Sequence, residues 1–92
     1  MPRPKRFRHI QFNPSVTYYK PRGVPMRHLE EIELSHDELE AVRLADCEEL
    51  NQTAAAEQMK ISQSTFQRII TSAHEKIGKA LTEGMAIKIN IK

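Results

Sequence analysis

Apolar and polar positions follow two different rules along this chain, and the change of rule marks its elements. From Leu34 onward the apolar residues recur at helical steps. Leu39, Val42 and Ala45 fall at three-residue intervals with Leu44 beside them. That pattern predicts a helix from His36 to about Glu48 with this side buried. Ser35 is its N-cap, Glu38 completes a capping box, and Leu34 with Leu39 has hydrophobic-staple spacing. Asn51 is the next N-cap and predicts a helix over Gln52–Met59, rich in the small residues Ala54, Ala55 and Ala56. Lys60-Ile61-Ser62 reads as a turn, and Ser62 caps a third helix from Gln63 to about Glu83. At roughly 100° per residue, Phe66, Ile69, Ile70, Ala73, Ile77 and Ala80 share one arc of that helix. Gln63, Ser64, Gln67, Arg68, Thr71, His74 and Glu75 fall opposite. Gly84 ends it.

On either side of these helices the rule switches to a period of two. Ile87, Ile89 and Ile91 alternate with polar residues, which predicts a short C-terminal strand. Its expected partners are residues 9–12 or 16–19 of the same chain, or its counterpart in a second copy. HIQF (9–12) and VTYY (16–19) are candidate short strands, and Lys20-Pro21-Arg22-Gly23 is a turn signal. Ile32 and Leu34 alternate with Glu31 and Glu33, so an extended lead-in to the first helix is expected. The reading is a mainly α fold. A basic, Pro-rich arm over residues 1–34 precedes a three-helix domain with a short C-terminal strand over residues 35–92.

Charge sharpens this picture. The net charge of the 92 residues is only +2, yet residues 1–29 carry +7, residues 30–50 carry −8 and residues 51–92 carry +3. A basic arm beside a mildly basic helical unit suits a polyanion approached from one side.

The helical unit suggests which polyanion. A helix-turn-helix needs a small residue on its first helix, an apolar residue in the turn and apolar residues on the second helix. Ala56, Ile61, Phe66 and Ile69 supply them in order. The outward residues at the start of the third helix are Gln63, Ser64, Gln67 and Arg68. Gln pairs with adenine and Arg with guanine in the major groove, where the first turns of a recognition helix lie. No acid occurs between Lys60 and His74. Lys60, Ser62 and Thr65, with Arg3, Lys5, Arg6 and Arg8 of the arm, are the candidate phosphate contacts.

With these residues in view, the chain resembles a family of small, uncharacterised bacterial and archaeal proteins predicted to bind DNA. Their helix-turn-helix is similar to the promoter-reading C-terminal domain of sigma factors. The landmarks are the MPRPKR start, VTYYKPRGVPMRHLEEIELSHDELEAVRLAD and AAAEQMKISQSTFQRII. The resemblance implies a sigma-like fold, sequence-specific duplex binding and transcriptional regulation in a prokaryotic cytoplasm. Some members carry a further domain similar to iron–molybdenum cofactor biosynthesis proteins, and this chain is expected to lack it. Two departures stand out. The family usually has Gly where this chain has Lys60, and a left-handed Lys there costs about 1 kcal/mol. It also tends to have Gly near Glu49, so a more helical first link is expected here.

Other classes find little support. Cys47 is the single cysteine, so no intrachain disulfide and no thiolate metal cluster can form. It is expected to be a small core or half-buried residue. His9, His28, His36 and His74 show no ligand spacing, so neither metal nor cofactor is expected. Gly-framed nucleophiles and phosphate loops are absent, which argues against an enzyme. No apolar run spans a membrane and no secretory leader is evident, so the cytoplasm is expected. The rival reading is a protein-interaction module that uses the acidic helix 36–49 and the edge of the C-terminal strand. Duplex DNA is the expected partner, with a homodimer and RNA polymerase as further candidates.

Overall fold

The computed structural model describes residues 14 and 16–91. Arg3, Lys5, Arg6, Arg8 and the candidate strand 9–12 lie outside that range. The described chain runs β1 (Tyr18–Tyr19), β2 (Glu31–Ser35), α1 (His36–Val42), α2 (Gln52–Met59), α3 (Gln63–Glu83) and β3 (Ala86–Asn90). A 3-10 turn over Met26–His28 precedes β2, and a π-helical segment over Arg43–Cys47 continues α1. The fold is mainly helical with one small sheet.

Each helix begins where its cap predicts. Ser35 Oγ accepts from Glu38 N–H at 3.1 Å, and Glu38 Oε1 accepts from Ser35 N–H at 2.8 Å, which is the capping box. Asn51 Oδ1 accepts from Ala54 N–H at 2.8 Å, and Ser62 Oγ from Thr65 N–H at 3.1 Å. Leu34 and Leu39 meet in one cluster, as the staple spacing requires.

Helix endings are less regular. The first helix reaches Glu48 as expected, but only through wider turns, with Glu48 N–H bonded to Arg43 C=O and Leu50 N–H to Leu44 C=O. Glu49 then turns left-handed at φ 59. The expectation of a more helical link is therefore corrected: Glu49 adopts the glycine-like conformation itself. Lys60 is left-handed too, at φ 60. Its N–H bonds to Glu57 C=O and that of Ile61 to Ala56 C=O, both at 3.1 Å. This is a Schellman ending built without glycine.

Two apolar clusters share α3. Ala41, Leu44, Ala55, Ala56, Met59, Phe66 and Ile70 are buried together, with Leu50, Ile61 and Ile69 packed against them. Farther along α3, Ala73 is buried with Leu34 of β2 and Ile89 of β3, and Ile77 and Ile87 pack beside them. The apolar stripe of α3 is thus inward as the periodicity requires, but its second half packs on the sheet as well as on α1. The inward side of α1 differs from expectation. Ala41 and Leu44 are fully buried, whereas Leu39, Val42 and Ala45 are only half-buried. His36, Glu38 and Glu40 are buried in their place.

The strand order is β1-β3-β2. β3 pairs antiparallel with β1 (Tyr18 opposite Lys88) and parallel with β2 (Leu34 opposite Ile89). β3 is therefore central and both of its edges are taken within the chain. Pairing of this strand with a second copy is closed off. The partner on one side comes from 16–19, as expected. On the other it is the lead-in to α1, because α1–α3 carry the chain back over the sheet and return β3 beside β2. Cys47 is exposed rather than half-buried.

Candidate nucleic-acid interface

The start of α3 combines rigidity below with open polar groups above. Phe66 and Ile70 anchor it in the first cluster. Gln63, Ser64, Gln67 and Arg68 are all exposed on the opposite side. The four predicted base-reading residues therefore share one surface. Lys60 and Ser62 are exposed beside them, whereas Thr65 is half-buried.

Hydrogen bonds order this surface. Ser62 Oγ donates to Thr65 Oγ1 at 2.8 Å and lies 3.2 Å from Ser64 Oγ. The Thr65 N–H is engaged by Ser62, and Phe66 N–H bonds to Ser62 C=O. The first N–H groups of the helix, those of Gln63 and Ser64, are the ones left for an anion. Gln63 Oε1 accepts from Thr53 Oγ1 of α2 at 3.3 Å. Gln67 Nε2 donates to Thr71 Oγ1, also at 3.3 Å. Arg68 makes no ion pair with a described residue.

A shallow groove of about 290 Å³ lies beside Arg68, lined also by Ser35, Asp37, Glu38, Thr65 and Ser72. Its carboxylate Glu38 is buried. Burial by itself would raise the pKa of this group. Hydrogen bonds from Ser72 Oγ (2.5 Å), the Ser35 N–H and Lys76 Nζ (2.9 Å), with the charge of Lys76, outweigh burial and hold the carboxyl below the usual glutamate range. Lys76 also donates to Glu33 C=O at 2.9 Å. One carboxylate thus ties the end of β2 and the start of α1 to the middle of α3, with Lys76 as its ion-pair partner. Glu40, 1% exposed, is likewise held by Arg43 through contacts of 2.9 and 3.0 Å.

The sequence reading did not anticipate three of these residues. Thr53 and Gln63 are ten positions apart across the turn, and no local pattern announces their contact. Ser72 and Lys76 meet Glu38 from 34 and 38 positions away. Thr71 is the exception, since its spacing of four from Gln67 is a legible helical pair. Among the described residues no group of three or more His, Cys, Asp or Glu could hold a metal ion. No described helix is long and apolar enough to cross a membrane.

Three capped helices over a small mixed sheet define the class of fold. The chain belongs to the family described as Protein of unknown function DUF134, which it matches over residues 1–91. It is 52% identical over 89 residues to a UPF0251 protein of Caldanaerobacter subterraneus subsp. tengcongensis, covering 97% of this chain and 75% of the relative. A UPF0251 protein of Clostridium botulinum strain Hall is 53% identical over 90 residues, 98% of this chain and 57% of the relative. The chain thus spans a little over half the length of its clostridial relatives. No solved structure matches it.

Proposed function

We propose that this chain binds double-stranded DNA sequence-specifically and acts as a transcriptional regulator. In this reading α2, the Lys60–Ser62 turn and α3 form a helix-turn-helix similar to the C-terminal domain of sigma factors. The start of α3 enters the major groove. The observation that carries the reading is the common exposed face of Gln63, Ser64, Gln67 and Arg68, set directly over the buried Phe66 and Ile70. Rigid support beneath a set of base-edge donors and acceptors is what direct readout requires.

The direction of the chain adds support for the arm. Thr17 C=O accepts from Ile89 N–H at 2.9 Å, and Ile89 lies opposite Leu34. Val16 therefore lies at the end of the sheet where Ser35 meets the groove beside Arg68. Arg8 lies eight residues upstream of Val16, a reach of up to about 26 Å at full extension. In the proposed complex Arg3, Lys5, Arg6 and Arg8 hold phosphates beside the recognition helix, together with Lys60, Ser62 and Thr65.

The interaction-module reading rests on the acids of the segment 36–49, of which Glu38 and Glu40 are buried against Lys76 and Arg43 while Asp46, Glu48 and Glu49 stay exposed. It also needed an open edge on β3, and both edges are taken.

Binding to duplex DNA across a salt series tests the proposal. The affinity should fall steeply, with a log–log slope of about −0.9 per phosphate contacted. Arg68→Ala should relax sequence choice at one base pair, whereas neutralising Arg3, Lys5 and Arg6 together should weaken binding to all duplexes alike. A folded sample that binds no duplex at low salt would overturn the proposal.

A further inference from the structure

A free glutamine side chain has a donor end and an acceptor end and can turn either toward a base. Adenine uses both at once, giving its N6 amino group to the carbonyl and taking an N–H at N7. Neither glutamine on this surface is free. The carbonyl of Gln63 is engaged by the Thr53 hydroxyl, and the NH2 of Gln67 is engaged by the Thr71 hydroxyl, each at 3.3 Å.

We propose that Thr53 and Thr71 are positioning residues that set these two glutamines with opposite amide ends toward the DNA. The inference rests on the DNA-reading function proposed above. Gln63 presents its NH2 group and Gln67 its carbonyl. Two N–H groups match the paired acceptors N7 and O6 of guanine, or O4 of thymine. A lone carbonyl matches the amino group of cytosine or of adenine. The site therefore selects an acceptor-bearing base under Gln63 and an amino-bearing base under Gln67. Each engaged end keeps one lone pair or one N–H, so the restraint disfavours, without forbidding, the two-point adenine contact that an unrestrained glutamine makes.

The two restraints differ in reach. Thr71 acts within α3, one helical turn beyond Gln67. Thr53 stands on α2, so its bond to Gln63 crosses the turn and makes the choice of base depend on how the two helices are joined. Sequence choice at the first position of α3 is then a property of the helix pair rather than of the recognition helix alone.

Selection from a randomised duplex pool by the full chain tests this. Gln63→Ala and Gln67→Ala first identify the position each residue reads, as the one whose preference is lost. Thr53→Val keeps the branched shape and removes the hydroxyl. It should raise adenine against guanine at the Gln63 position by about three- to tenfold, the range of one neutral hydrogen bond. Thr71→Val should raise adenine against cytosine at the Gln67 position by a similar factor. Both variants should keep the wild-type salt slope, and Thr53→Ser should restore the wild-type profile. Wild-type base profiles in both valine variants would overturn the inference while leaving DNA reading intact. So would the reversed polarity, with Gln63 choosing an amino group and Gln67 an acceptor. Absence of duplex binding by the folded wild type would remove the function and the inference together.

Discussion

The two halves of α3 rest on different kinds of support. Its first two turns pack on α1, α2 and the wide π turns between them, all within about 30 residues of chain. Its later turns also pack on β2 and β3, strands that flank the whole helical segment in sequence. The first half carries amides, hydroxyls and Arg68 outward, and the second carries His74, Glu75, Lys79 and Glu83. One helix of 21 residues, about 31 Å long, thus joins a polar end free of acids to an anchoring end of mixed charge. The lesson is that the surface proposed to read DNA is built locally, whereas what orients it is built non-locally. Glu38, reaching Ser72 and Lys76, is the joint between them.

Truncating the aromatic anchor breaks the comparison most strongly. Phe66→Ala should cost about 3–5 kcal/mol in urea unfolding, because its side chain is fully buried under the proposed reading face. Ile89→Val, in the sheet cluster, should cost only about 0.5–1.5 kcal/mol. Equal losses would show that the two halves are not distinct in packing.

Cutting the joint comes next. Glu38→Gln should lose about 1–3 kcal/mol at neutral pH, since Lys76 is left without its charge partner. The sign with pH follows from the lowered pKa of Glu38. A depressed folded pKa contributes stability above the unfolded value, and that contribution is lost as pH falls through the folded value. The gap between wild type and Glu38→Gln should therefore shrink as pH falls below the ordinary glutamate range. Chemical denaturation at several pH values checks it, and a gap that widens in acid would refute the assignment.

The smallest effects sharpen rather than break the contrast. Glu49→Gly and Lys60→Gly should each stabilise the fold by about 0.5–1 kcal/mol, because both residues are left-handed at present. Only Lys60→Gly should also reduce the salt slope of DNA binding, by about 0.9. A matching change in Glu49→Gly would locate phosphate contacts on the wrong link.

Much of this was legible in the sequence because it is local. Ser35, Asn51 and Ser62 cap within three residues, so each helix start follows from spacing alone. The six-residue apolar arc of α3 follows from its 3.6-residue period, and with it the exposed set Gln63, Ser64, Gln67 and Arg68. The buried side of α1 was less legible. An Asp or Glu reads as solvated unless its partner is visible, and beyond its local cap Glu38 meets Ser72 and Lys76 from more than 30 positions away. Cys47 and the left-handed Glu49 were misjudged for a related reason. Neither residue type at Cys47 nor the family resemblance at Glu49 shows that the helix from His36 ends on wide turns.

By itself, then, the sequence determined three capped helices, a turn at Lys60–Ser62, a period-two strand after Gly84 and one acid-free polar face. Those are consequences of side-chain chemistry acting over a few residues. Only the tertiary structure decided that β3 lies between β1 and β2, that Glu38 is internal and that Thr53 meets Gln63. Each joins groups distant in the chain or across a turn, and no residue announces which distant partner will offset the cost of burying its charge or fixing its rotamer.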